Sequence, residues 1–160
     1  MHNHSVLFVL LLAVGVSPWC LLGRLNLTSA IDRVDFSHDG LLIAATSSTA
    51  NEVAIYETLT FEKIYTYTPS VDVAHVARFS RATPGHLVVG KWNGDIDILT
   101  LTRNPFTATF LDSYDAQGGD ATSAVTDMDF NYDNTKVVTC GTNDDDVIAI
   151  AGWATPGARV

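Results

Sequence analysis

Asp127, Asp129, Asn131 and Asp133 put four oxygen-bearing side chains at alternate positions of the chain. That is the spacing of the first four ligands of a helix-loop-helix calcium loop. Tyr132, however, stands where such a loop needs glycine, and Val138 where it needs a bidentate glutamate. A denser oxygen run, Asn143-Asp144-Asp145-Asp146, reads as a solvated turn. The histidines His2, His4, His38, His75 and His86 show no pairing at ligand spacing, and Cys20 and Cys140 form no Cys-x-x-Cys unit. No Gly-x-Ser-x-Gly elbow marks a nucleophile, and no glycine-rich phosphate loop is present. No catalytic, cofactor-binding or metal-ligating residue is assigned on these grounds. The chain is expected not to be an enzyme and to need no cofactor.

The charge balance points away from polyanions. Nine basic residues face 18 acidic ones, a formal net charge of −9, which argues against nucleic acid or an anionic membrane surface as partner. From Asp112 to Asp146 there are nine aspartates and one basic residue, Lys136. Solvated turns account for such a run, and an acidic rim for a basic partner is the sharper alternative.

The elements that must position these residues are strands. Three copies of one pattern occur. The first reads Val34-Asp35-Phe36-Ser37, a turn at His38-Asp39-Gly40, Leu41 to Thr46, and Val53-Ala54-Ile55-Tyr56. The second reads Val76-Ala77-Arg78-Phe79-Ser80, Leu87-Val88-Val89-Gly90 and Ile96-Asp97-Ile98-Leu99. The third reads Thr126 to Asn131, Val137-Val138-Thr139-Cys140-Gly141 and Val147-Ile148-Ala149-Ile150. Twenty residues separate Phe36 from Tyr56, Phe79 from Leu99, and Phe130 from Ile150. Alternation of Val34/Phe36, Ala77/Phe79 and Met128/Phe130 with Asp35, Arg78 and Asp129 marks the first strand of each copy. Asn93-Gly94 is a strong hairpin signal. Outer fourth strands are expected near Glu62 to Tyr67 and Phe106 to Leu111, whereas little chain follows Ile150 to supply a third.

A repeat in the forties with short strands predicts an all-β chain of stacked four-stranded antiparallel β-propeller blades. The blades fall at 25–67, 71–112 and 124–151 of a partial propeller spanning 25–151, with a tail at 152–160. Three blades cannot close a ring, which takes about four to eight. The adopted reading is a piece of a longer propeller; partner copies completing the ring are the alternative. Phe36, Phe79 and Phe130 are expected at equivalent buried positions. Trp92 and Trp153 are expected between blades, with interface anchoring as the second reading. Uncovered blade faces and strand edges predict self-association.

Residues 1–24 precede the repeats. Val6 to Val16 is an unbroken apolar or glycine run ahead of Pro18. Its length suits a secretory signal peptide. An uncleaved signal anchor extending to Leu22 and a spurious gene start ahead of a cytoplasmic propeller are the alternatives. Membrane contact is expected only if residues 6–22 are retained as an anchor. If the chain is secreted, Asn26 in Asn26-Leu27-Thr28 is a glycosylation acceptor.

These copies resemble WD-repeat (Trp-Asp) propeller blades. Val34-Asp35-Phe36-Ser37-His38-Asp39-Gly40 is similar to that family's strand-and-turn motif, and Val53-Ala54-Ile55-Tyr56-Glu57 to its third strand, with Tyr56 at the usual tryptophan and Glu57 at the usual aspartate. No Gly-His precedes a first strand and no Trp-Asp closes a third, so the family's hydrogen-bonded tetrad is missing. The resemblance implies a non-catalytic scaffold that binds other proteins. Asn51 to Tyr56 followed by Thr58 to Tyr67 also resembles lactonase-like and surface-layer propellers, which implies a secreted enzyme or extracellular binding protein instead.

Overall fold

A computed structural model of the chain describes residues 23–25, 27, 29–81, 85–116, 123–133, 135–142 and 148–152. The described residues are all-β. β1 (Arg33–Phe36), β2 (Leu42–Ser47), β3 (Glu52–Glu57) and β4 (Lys63–Tyr67) form one antiparallel sheet in sequence order. β5 (Ala74–Phe79), β6 (His86–Lys91), β7 (Asp95–Arg103) and β8 (Phe106–Asp115) form a second. β9 (Val125–Phe130), β10 (Lys136–Gly141) and β11 (Ile148–Gly152) form a third, three-stranded sheet. The sheets stack like propeller blades and do not close into a barrel. The innermost strands lie side by side, with β5 between β1 and β9. The second blade runs three residues beyond its expected end at 112, because β7 and β8 pair from Arg103↔Phe106 out to Asp95↔Asp115.

Two apolar interfaces hold the stack. Leu42, Ala44, Val53 and Ile55 on the back of the first blade meet Ala77, Phe79, Leu87, Val89 and Leu99 on the front of the second. Val76, Val88, Ile96 and Ile98 on the back of the second meet Val125, Met128, Phe130 and Val137 on the front of the third. At Gly90 the blades nearly touch: a Cβ there would stand 2.6 Å from Val125 Cγ1 and 2.7 Å from Met128 Cε. Absence of a side chain at that point is what allows the third blade to seat.

The three repeat phenylalanines occupy the same register, Phe36 opposite Ile43, Phe79 opposite Leu87 and Phe130 opposite Val137. Their burial differs, contrary to the expectation of three buried rings. Phe79 and Phe130 are 4% and 6% exposed, whereas Phe36 is 43% exposed. Each buried ring inserts into the back of the preceding blade, and among the described residues no blade precedes the first. Its front is covered instead by Leu25 and Leu27, which pack on Ile43, Ala45, Ala54 and Tyr56 and leave Phe36 at the margin.

Polar groups knit the innermost strands together. Asp35 of β1 accepts a hydrogen bond from the Phe79 backbone N–H of β5 at 2.8 Å. Burial pushes the Asp35 carboxyl above its usual range, outweighing that bond and the charges of Arg78 and Arg81. The Arg78 guanidinium donates to Val34 O, Met128 O and Asp127 Oδ1, so one side chain touches all three blades.

Candidate docking edge

In each blade the strands run antiparallel in sequence order, so the β2–β3 and β6–β7 turns and the β4–β5 link emerge at one edge. Two backbone contacts join these loops. Trp92 N–H donates to Val73 O at 2.9 Å, and Ala74 N–H donates to Asn51 Oδ1 at 3.0 Å. The β6–β7 turn is rigid for a local reason. Gly94 takes φ 87°, a conformation that glycine adopts without steric cost. Asn93 braces it by donating from Nδ2 to Asp95 Oδ2 at 2.7 Å and accepting from Asp95 N–H at 3.2 Å.

Trp92 is carried on this turn. It is 52% exposed, with its ring edge-on to His75 at 5.5 Å and 89°. Exposed Val71 lies in the adjoining link. The expectation that Trp92 packs between blades is therefore corrected: the ring is half exposed and meets His75 of its own blade. Trp153 lies outside the described residues.

Directly before the tryptophan in the chain, Lys91 belongs to a buried polar cluster that the sequence reading missed. Lys91 Nζ reaches Asp97 Oδ1 at 2.9 Å, with both side chains 4% exposed, and Asp95 Oδ2 at 3.5 Å. Tyr67, from the outer strand of the first blade, donates its hydroxyl to Asp97 Oδ2 at 2.9 Å. Burial, and then the hydrogen bond to the Asp97 charge, push the Tyr67 phenol well above its ordinary range, so it remains a donor. The ion pair fixes the last residue of β6 directly before Trp92, and Tyr67 links it to the neighbouring blade. The available signal was alternation: Lys91 shares parity with Leu87 and Val89, which predicts an inward lysine in need of a partner.

The opposite edge holds a cleft of about 100 Å³ lined by Ser37, Asp39, Phe79, Ser80, Leu101 and Arg103. Arg103 Nη2 bridges to Asp39 Oδ2 at 2.6 Å across the two blades. Although desolvation opposes it, hydrogen bonds from Ser37 and Leu41 N–H and the Arg103 guanidinium hold the Asp39 carboxyl down at about 2.

The residues at calcium-loop spacing lie along β9 and its turn, each with a protein partner. Asp127 accepts from Arg78, Asp129 from Phe130 N–H, and Asp133 from Thr135, while Asn131 donates to Thr135 Oγ1. Among the described residues, no group of three or more His, Cys, Asp or Glu side chains comes together to hold a metal. Asn26, the apolar segment 6–22, Cys20 and Asn143 to Asp146 lie outside the described residues. No helix of the described residues is long and apolar enough to cross a membrane.

Fold and edge together define a class: an open stack of antiparallel blades with an aromatic loop edge. No family model matches the chain, and no curated protein matches it.

Proposed function

We propose that the chain is a non-catalytic protein–protein interaction scaffold of the propeller-repeat kind, as its resemblance to WD-repeat blades implies. It binds other proteins through the edge that carries Trp92. The observation that supports this most is a large aromatic side chain held half-exposed on a braced turn that follows directly on a buried ion pair. Tryptophan on a rigid support loses little conformational freedom on docking and contributes heavily to binding energy. Exposed Val71, two residues before the Val73 carbonyl that the Trp92 N–H meets, adds apolar surface to the same edge.

Photo-crosslinking tests the reading. A benzoylphenylalanine replaces Trp92 in one full-length chain and Leu59, an exposed residue of the β3–β4 turn, in another. Position 92 should capture a protein that position 59 does not, and Trp92→Ala should weaken affinity for the captured protein by about tenfold or more. Equal capture from both positions, or unchanged affinity on Trp92→Ala, would refute the reading.

A further inference from the structure

Along β10 the back of the third blade is built like the backs of the other two, yet among the described residues no further sheet stands against it. Val138, opposite Asp129, occupies the register of Ala44 opposite Asp35 and Val88 opposite Arg78. Ala44 and Val88 are sealed inside the two interfaces, whereas Val138 is 36% exposed. Cys140, opposite Asp127, holds the place of Thr46, which is buried and donates from Oγ1 to His75 O of the next blade at 3.0 Å. Cys140 is only partly buried.

The innermost strands also follow a charge rule. At one register position they carry Asp35, Arg78 and Asp129, alternating in sign from blade to blade. Each junction sets opposite charges together: Arg78 lies near Asp35 on one side and reaches Asp127 at 2.8 Å on the other. At the open back, Asp127 and Asp129 are the terminal members, more than half exposed. Arg81 meets Asp129 at 3.5 Å from the second blade.

We propose that the back of the third blade is a docking surface for a further β-blade whose innermost strand reads apolar, cationic, aromatic, the cation closing on Asp129 and the aromatic ring seating beside Val138. The second blade, with Ala77-Arg78-Phe79, is the form of partner that fits. A second copy of the chain fits poorly. Its foremost strand would bring Asp35 toward Asp129, like charge against like, and Leu25 and Leu27 already cover its front. This surface is separate from the Trp92 edge.

The test uses the full chain carrying Cys20→Ser, so that Cys140 is the sole thiol. A flexible linker after Val160 carries a duplicate of residues 68–116. The docked duplicate should slow thiol labelling of Cys140 by about tenfold or more relative to the unfused chain, as closure of a packed face does. Arg78→Asp in the appended copy alone, or Val138→Asp in the host, should restore the unfused rate. Labelling at the unfused rate in the parent fusion overturns the proposal, as does protection indifferent to both substitutions. Sedimentation of the unfused chain supplies a measurement that does not depend on the duplicate. Concentration-dependent association abolished by Val138→Asp would make a second copy the occupant and overturn the charge argument. No external protein enters these measurements, so their failure leaves the Trp92 reading standing, and the reverse also holds.

Discussion

Phe36→Ala and Phe79→Ala remove the same side chain from the same register position of consecutive blades, and they should not cost the same. Phe79 is 4% exposed among Leu42, Ala44, Val53 and Ile55 of the neighbouring blade. Its removal loses the transfer energy of a buried ring and leaves a cavity between two sheets, together about 3–5 kcal/mol. Phe36 is 43% exposed and rests on one sheet only. About half of a ring's transfer energy, roughly 1 kcal/mol, is at stake, and solvent fills the space without a cavity cost. The expected difference is therefore about 2 kcal/mol or more, visible as a lower urea midpoint for Phe79→Ala at unchanged slope. Equal losses would mean that Phe36 is covered as Phe79 is, and the argument from an exposed margin on the first blade would fail. A loss under about 1 kcal/mol for Phe79→Ala would place its ring outside any core and break the register.

Two further outcomes are expected. Lys91→Ala should destabilise by about 3–5 kcal/mol, because it strands the buried Asp97 charge, whereas Lys91→Met with Asp97→Leu should recover most of that loss in chemical unfolding; equal losses in the two variants would show that the pair itself, not the stranded charge, matters. Asp39 has a folded pKa near 2 against an ordinary 3.8, so the folded state binds fewer protons than the unfolded one, and the stability it contributes is present above about pH 4 and lost as pH falls toward 2; Asp39→Asn should flatten the unfolding midpoint over that window, and an unaltered pH profile would contradict the assignment.

Much of the architecture was legible because it is written locally. Alternation in Val34-Asp35-Phe36 and its two counterparts fixes which residues share a sheet face, since successive side chains of a strand point to opposite sides. Turn residues set the hairpin positions: Gly94 at φ 87° and Gly40 at φ 69° sit where the sequence places tight turns. The constant spacing from each phenylalanine to its third strand carries over into register in two sheets, where Ile43 pairs Tyr56 and Leu87 pairs Leu99, but slips by one in the third, where Val137 pairs Ala151 rather than Ile150. The candidate edge was less legible. Trp92 could be assigned to a hairpin, but its exposure depends on which side chains the stacked sheets bring against it.

By itself, the sequence determined that the chain is all-β, that it repeats a blade-like unit, and which face the residues of each first strand take. These follow from periods of a few residues and from backbone preferences at turns. Only the tertiary structure decided which faces are covered. Phe36 and Phe79 share a motif, yet one is exposed and the other sealed, because burial depends on a neighbouring sheet. The same holds for Tyr67 bonding to Asp97 and for Arg78 touching three blades. Those partners lie 30 to 50 residues apart in the chain, and stacking of separate sheets brings them together. Periodicity within a strand carries no information about which blade, if any, will stand against it.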